Sequence, residues 1–498
     1  MSRSNLHSLT AFAISAILTL ASGAAERPNI LVILADDMGY GDIQALNPES
    51  KIPTPHLDQL ASGGAIFTDA HSGSAVCTPT RYGLLTGRYC WRTRLKSGVL
   101  FPPNDRPLIA NDRVTVASFL KSQGYRTAMV GKWHLGIGWA RDEKGKVDFD
   151  APFTDGPVEK GFEHFFGIAA SLDMVPYVFL RGHQAVAKTP DTQPKLGFPK
   201  FVRKGPKDPN FDPGDCLDIL AREASTFIKD STKAKDAPPF FLYMPLTAPH
   251  KPVWPHKRFV GKTKLGPYGD FVHQVDHTVG VVLKALEESG AADNTLVIYT
   301  SDNGSFMYRR EEGEKHHLAD EGDQGFLRKD HQANHHFRGT KADVWEGGHR
   351  VPFLVRWPKG RIKPGTTTGR VTCLTDVLAT VAEAVGQPLP KGAGEDSFSF
   401  LAEARGGKSD KVRPGVINHS AAGFFAIRRG PWKLVLASGS GGRQKPRGKS
   451  FEKPYHLYEL NKDPSEANNL IDKNAEIAAE MEKEFYAITK GDHVRRQR

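Results

Sequence analysis

Five apolar runs, Asn29 to Ala35, Arg126 to Val130, Phe240 to Pro245, Thr295 to Thr300 and Val351 to Trp357, are bounded by turn residues and lack in/out alternation. Such a run reads as a strand covered by helices on both faces, the environment of a parallel sheet. Helical patterns lie between them. The clearest sets Val272, Val275, Val279, Val282 and Leu286 at spacings of three and four and stops at Gly290, a natural C-terminal cap. The alternation predicts an α/β fold: a large mixed, mostly parallel sheet sandwiched by helices.

The pattern changes after the helical stretch Thr375 to Gly386, where Pro388, Pro390 and several glycines read as a linker. Short β-like runs follow at Val416 to Asn418, Phe424 to Arg428, Trp432 to Ala437 and His456 to Leu460, then an amphipathic helix near Ala475 to Ile488. These predict a smaller C-terminal α+β subdomain with an antiparallel sheet. The expected division is 1–25 as a leader, 26–390 as the main domain and 391–498 as the subdomain; 498 residues suffice for both cores.

The leader carries one charge, Arg3, before an apolar run from Leu9 to Ala21 and the small residues Ser22-Gly23-Ala24-Ala25. That is the layout of a secretory signal peptide. The run is short for a bilayer span and no later stretch approaches twenty apolar residues, so export without stable membrane insertion is expected. The destination would be a periplasm, the exterior or, in a eukaryote, the lysosome.

A net charge of +11 favours polyanionic partners. Nucleic acid is excluded as the expected partner of an exported chain with no recognisable binding module, and an acidic glycan fits instead. Cys77, Cys90, Cys216 and Cys373 are too few and scattered for a disulfide scaffold, and no CxxC pair suggests zinc.

In an α/β sheet, ligands bind beyond the carboxyl ends of the strands, and the polar clusters fall there. Asp36-Asp37 follows the first strand, Lys132-Trp133-His134 the second, Pro249-His250 the third and Asp302-Asn303 the fourth. Two segments resist assignment. Residues 306–337 are polar and histidine-rich, to be read as a solvated excursion or a specificity loop. Residues 428–453 carry eight Lys or Arg against one Glu, a solvated face or a surface that steers substrate.

The stretch AVCTPTRYGLLTGR (75–88) contains C-x-P-[ST]-R followed by L-L-T-G, and GYRTAMVGKWH (124–134) adds a second block. With ADDMGYGD, TAPHKP, SDNGS and RGTKADVWEGGHRVP in matching order, the chain from about Asn29 to Pro352 resembles the type I sulfatases of the alkaline phosphatase superfamily, notably arylsulfatase-like and N-acetylgalactosamine-6-sulfatase-like members. The resemblance implies that Cys77 is oxidised by a formylglycine-generating maturation enzyme to Cα-formylglycine. The hydrated aldehyde has one hydroxyl to attack sulfur and a second whose deprotonation re-forms the carbonyl and expels sulfate. If Cys77 is so consumed, Cys90, Cys216 and Cys373 allow at most one disulfide and are expected to be structural.

The resemblance further implies that Asp36, Asp37, Asp302 and Asn303, with residue 77, hold one calcium ion, an all-oxygen protein set suited to a hard cation. Arg81 and Lys132 would hold the modified side chain and sulfate, His134 would take a proton from it, and His250 with Lys341 would serve the departing oxygen, a task suited to a histidine titrating near neutrality. Ser171 would contact sulfate, and Glu346 and Arg350 would fix the loop presenting Lys341. The expected activity is hydrolysis of a sulfate monoester of a carbohydrate. The alternatives are a phosphate or phosphonate ester hydrolase of the same superfamily, and a non-catalytic binder of sulfated glycans.

Overall fold

The structure, a computed structural model, describes residues 27–411 and 413–491. The signal-peptide expectation therefore lies outside the described residues. Ten strands form the main sheet. From edge to edge they are Thr366–Thr368, Ala65–Phe67, Phe353–Arg356, Thr295–Ser301, Asn29–Asp36, Phe240–Pro249, Arg126–Lys132, His164–Ile168, Leu180–Arg181 and Gln184–Ala185. The five in the middle, from Thr295–Ser301 to His164–Ile168, are mutually parallel. Ile33, for example, stands between Tyr299 and Met244. The run near Val351 differs from its parallel reading: Phe353–Arg356 is antiparallel to both neighbours.

Each central strand is buried along its length because helices cover both faces. Leu31 and Ile33 belong to one apolar cluster, and Ile30, Val32 and Leu34 to the other, so a single strand feeds two cores. The predicted valine-faced helix is Gly266–Glu288 and packs with Cys216–Thr232 on the first of these faces. All the parallel strands end on one side, which sets Asp36, Lys132, Pro249 and Ser301 along a common edge.

A separate antiparallel sheet, Val416–His419, Phe425–Arg429, Trp432–Val435 and His456–Glu459, lies near the C-terminus and carries helix Ala475–Lys490 against it. All four cysteines are unpaired. Among the described residues, no helix is long and apolar enough to cross a membrane.

The two unassigned segments are built into the fold rather than merely solvated. In 306–337, strands Tyr308–Arg310 and Gly325–Leu327 pair, and His317 and His331 are buried. The ring of His331 meets Asp42 at 2.8 Å through Nε2. In 428–453, Arg428 and Lys433 face each other on adjacent strands of the small sheet and are buried. Polar content alone does not distinguish a solvated loop from one whose polar groups are satisfied internally.

Candidate active site

Helix Cys77–Thr86 begins at the cysteine and ends at Gly87, whose φ of 63° is the left-handed cap conformation. Pro79 falls in the first turn, where a missing N–H breaks no helical bond. Arg81 follows Cys77 by four residues, one helical turn, and so shares its face. Residue 77 also sits at the positive end of the helix dipole, which favours negative charge there. Every residue of this helix is buried.

Arg81 reaches the sheet edge. Its Nε and Nη2 donate to Asp302 Oδ2 at 3.1 and 2.7 Å, and Nη1 donates to the Lys132 carbonyl at 3.0 Å. Lys132 donates from Nζ to both oxygens of Asp36, at 2.9 and 2.7 Å. Lys341 donates to Asp37 Oδ2 at 2.8 Å and approaches Cys77 Sγ at 3.6 Å. Asn303 Nδ2 donates to Asp37 Oδ1 at 2.7 Å, and the Asp37 amide donates to Asp302 Oδ1 at 3.1 Å. Three carboxylates and three cations thus balance around one buried side chain.

Asp37 and His134 have φ of 66° and 57°, uncommon for residues with a Cβ and consistent with side chains held by their surroundings. The SDNG turn is held just as closely: a Cβ on Gly304 would lie 1.9 Å from the Gly347 carbonyl oxygen. That approach is open only to glycine.

Burial pushes the Cys77 thiol up to about 12, against the pull of Lys132 and Lys341. An unmodified Cys77 is therefore a protonated, weak nucleophile near neutral pH. Burial would raise the Asp37 carboxyl, but Lys341 and His250 together hold it below its ordinary value. For His134, burial followed by Lys132 and Arg81 keeps the imidazole neutral. Its Nε2 pairs with the Leu100 carbonyl at 2.9 Å and so carries the proton, while Nδ1 is buried without a partner among the described residues.

His250 departs from the expectation of a group titrating near neutrality. Burial, and then the ammonium of Lys341, lower it to about 3 despite Asp37 at 3.7 Å. Its Nδ1 donates to the Lys251 carbonyl at 2.6 Å, leaving the Nε2 lone pair toward Asp37.

The oxygen donors can be tested for a hard cation. Ligand atoms of Asp36, Asp37, Cys77 and His250 lie within 4.8 Å of one another. Asn303 Oδ1, buried beside them, has no partner among the described residues. An orphaned buried oxygen next to converging carboxylates fits such an ion, and a divalent charge would leave the balanced cluster able to accept an anion. The Ser171 hydroxyl is likewise buried and unpartnered.

Apart from Ser171, which follows strand His164–Ile168 by three residues, the sequence-predicted catalytic and metal residues therefore lie in or against one cluster at the sheet edge, Lys341 from a loop and the rest from strand ends or helix Cys77–Thr86. Glu346 and Arg350 pair at 3.1 Å, and Arg350 also holds the Thr68 carbonyl. Sequence reasoning missed Lys433, whose Nζ lies 3.1 Å from Glu346 and 2.8 Å from Glu466. It also missed Asn334, which brackets Ser305 by accepting from its amide and donating to its carbonyl. Neither has a local pattern that marks it. Asn418, which heads a glycosylation sequon, is buried and bonded to the Ser72 carbonyl, so it offers no glycan site.

Comparison with known proteins agrees with this architecture. The Sulfatase family model matches residues 28–387. The chain is 34% identical to an N-acetylgalactosamine-6-O-sulfatase of Bacteroides thetaiotaomicron, covering 92% of each chain. It is 33% identical to arylsulfatase A of Homo sapiens, covering 92% of this chain and 86% of that one. A solved sulfatase structure from glycosaminoglycan metabolism in Bacteroides thetaiotaomicron superposes with a TM-score of 0.81 at 32% identity, over 93% of this chain and all of the other. A Pseudoalteromonas sulfatase structure shares the fold, with a TM-score of 0.71 at 24% identity over 93% of this chain and 90% of that one. The chain belongs to the sulfatase family and is a sulfuric ester hydrolase.

Proposed function

We propose that this sulfatase is exported and removes sulfate from a sulfated carbohydrate, with residue 77 working as Cα-formylglycine beside one calcium ion. The observation that carries this reading is the balanced set of Arg81, Lys132 and Lys341 against Asp36, Asp37 and Asp302 around a cysteine too buried to ionise. An N-acetylgalactosamine-type sugar is supported by the name of a relative aligned over nearly the whole chain.

In its formylglycine form, residue 77 supplies a geminal diol, one hydroxyl attacking sulfur and the other driving release of sulfate. Calcium held by Asp36, Asp37, Asp302 and Asn303 would supply electrostatic stabilisation of negative charge on sulfate and nucleophile. Lys132 and Lys341, already anchored on carboxylates, hold the sulfate oxygens at little further entropic cost. Arg81 fixes Asp302 and the Lys132 backbone. His134 offers its free Nδ1 lone pair as the base. His250 starts neutral, so the anionic substrate must raise its proton affinity before Nε2 can serve the departing oxygen, with Lys341 sharing that work. The Ser171 hydroxyl is free to donate to sulfate.

A phosphate ester substrate would present two negative charges and call for more positive charge or a second metal. Among the described residues, the other buried group with metal-ligand spacing, His71, Glu346 and His349, has the ammonium of Lys433 3.1 Å from both Glu346 and His349, which speaks against a second ion there. Parallel turnover of an aryl sulfate and the matching aryl phosphate tests the choice. Sulfate release should dominate, and faster phosphate release would overturn it.

A further inference from the structure

Next to His250 and Lys341 stand two cations without a counter-ion. Lys251 is half-buried, with Nζ 5.4 Å from the centre of the Phe201 ring and 5.8 Å from that of Phe306. Among the described residues, no carboxylate lies within ion-pair distance of it. Arg443 donates to the Phe306 carbonyl at 2.6 Å and to Gln324 Oε1 at 2.8 Å, and lies 4.4 Å from the centre of the Tyr308 ring. Those acceptors are neutral, and its guanidinium too has no ion-pair partner among the described residues.

Phe306 ties the two together, touching Lys251 with its ring and Arg443 with its carbonyl. The Arg443 amide donates to Asp343 Oδ1 at 2.6 Å, two residues beyond Lys341. Burial, followed by repulsion from Lys341 and Arg443, lowers the Lys251 ammonium to about 8. The nearby carboxylates are already engaged, Asp37 by Lys341, Asp173 by Arg203, and Asp343, which faces Arg443, by the backbone amides of Thr340, Arg443 and Gln444. Like charges gathered at the edge of a site, with nothing to neutralise them, raise the local concentration of anions and reward one that binds.

We propose that Lys251 and Arg443 form a second anion subsite at the mouth of the catalytic centre, receiving a carboxylate or second sulfate carried by the substrate beyond the ester that is cleaved. The preferred substrate is then a saccharide with at least two acidic groups. This rests on the sulfate-ester reading above. It also gives a shared role to the two segments left unassigned by sequence, since Arg443 belongs to the basic stretch and Phe306, Tyr308 and Gln324 to the histidine-rich one.

The test compares four substrates of the mature protein: 4-nitrophenyl sulfate, a singly sulfated hexosamine, the same sugar joined to a uronic acid, and its disulfated form. The wild-type protein should prefer one or both doubly acidic sugars over the singly sulfated one by about tenfold in kcat/KM, the gain of an added anion paired at a half-buried site. Lys251→Gln and Arg443→Gln should each remove most of that preference through KM, and Arg443→Lys should keep part of it. Both should leave 4-nitrophenyl sulfate within about twofold, since a substrate with no second anion gains little from these charges. A preference confined to the uronate or to the disulfated sugar supports the subsite and names its anion. Equal losses on all four substrates, or a preference untouched by either change, would overturn it. If Arg443→Gln does not fold, Lys251→Gln decides alone. Failure of fully modified wild-type protein to cleave any of the four defeats the sulfate-ester reading, and the subsite with it.

Discussion

Lys433→Met tests how the C-terminal sheet supports the catalytic loop. The ammonium of Lys433 is completely buried, 3.1 Å from Glu346 and 2.8 Å from Glu466, and 3.1 Å from His349 Nε2. Glu346 opens the short helix Glu346–His349, five residues after Lys341. Its carboxyl would be raised by burial but is held well below its ordinary value, first by Lys433. Removing the ammonium leaves Glu466 buried without a cation beside Glu346, which keeps Arg350 at 3.1 Å, and breaking a buried pair from one side costs about 3–5 kcal/mol. Burial and Glu346 already place the Glu466 carboxyl above its ordinary value, so without Lys433 it takes up a proton readily. The sign follows: with the carboxylates favouring their neutral forms in the folded variant, the loss should be largest near pH 8 and shrink as pH falls toward 5. Urea unfolding followed by tryptophan fluorescence, which includes the buried Trp345 beside Glu346, measures it at both pH values. Glu466→Gln added to Lys433→Met should recover part of the stability. A loss below about 1 kcal/mol, in the range of an exposed pair, or one independent of pH, would refute the reasoning.

His250→Ala should slow sugar sulfates by about 10²–10⁴-fold, the range of general acid–base assistance, and activated aryl sulfates far less; equal losses would contradict its role. Because the free imidazole is lowered to about 3, kcat/KM should show no His250 ionisation near pH 6.5, which a pH–rate profile checks against the His250→Ala profile. Asn303→Ala should reduce calcium retained through chelator dialysis, read by elemental analysis, and excess calcium should restore turnover; unchanged retention would remove Asn303 from the ligand set. Asp69, which burial would raise but Arg350, His71 and Arg428 hold near 2, contributes about 2 kcal/mol above its unfolded value of 3.8. That contribution is lost as pH falls from about 4 through 2, so the stability gap between wild type and Asp69→Asn should close over that window.

Four of the five central parallel strands, all but His164–Ile168, were legible because burial on both faces leaves uninterrupted apolar runs, and their ends located Asp36, Lys132, His250 and Asp302 on one edge. Cys77 and Arg81 were legible because C-x-P-[ST]-R stands in register with five further blocks that resemble the sulfatases, whereas the helix that sets them on one face appeared only in the structure. Phe353–Arg356 was placed but given the wrong, parallel direction, since an apolar run carries no sign of strand direction. The side chains that make 306–337 and 428–453 part of the structure, His331 on Asp42 and Lys433 between Glu346 and Glu466, meet partners outside their own segments, more than 80 residues away for Asp42 and Glu346. Local composition cannot register such pairs. The proton affinity of His250 was misjudged for a related reason: it depends on burial and on Lys341, which only the folded chain brings near.

The chemical state of residue 77 in active protein decides most directly whether the nucleophile is the hydrated aldehyde. Mass spectrometry of the peptide spanning 75–88, taken from material of known specific activity, should show the cysteine replaced by the aldehyde or its hydrate, with activity proportional to the modified fraction. Full sulfate release from protein in which Cys77 remains an intact thiol would contradict it.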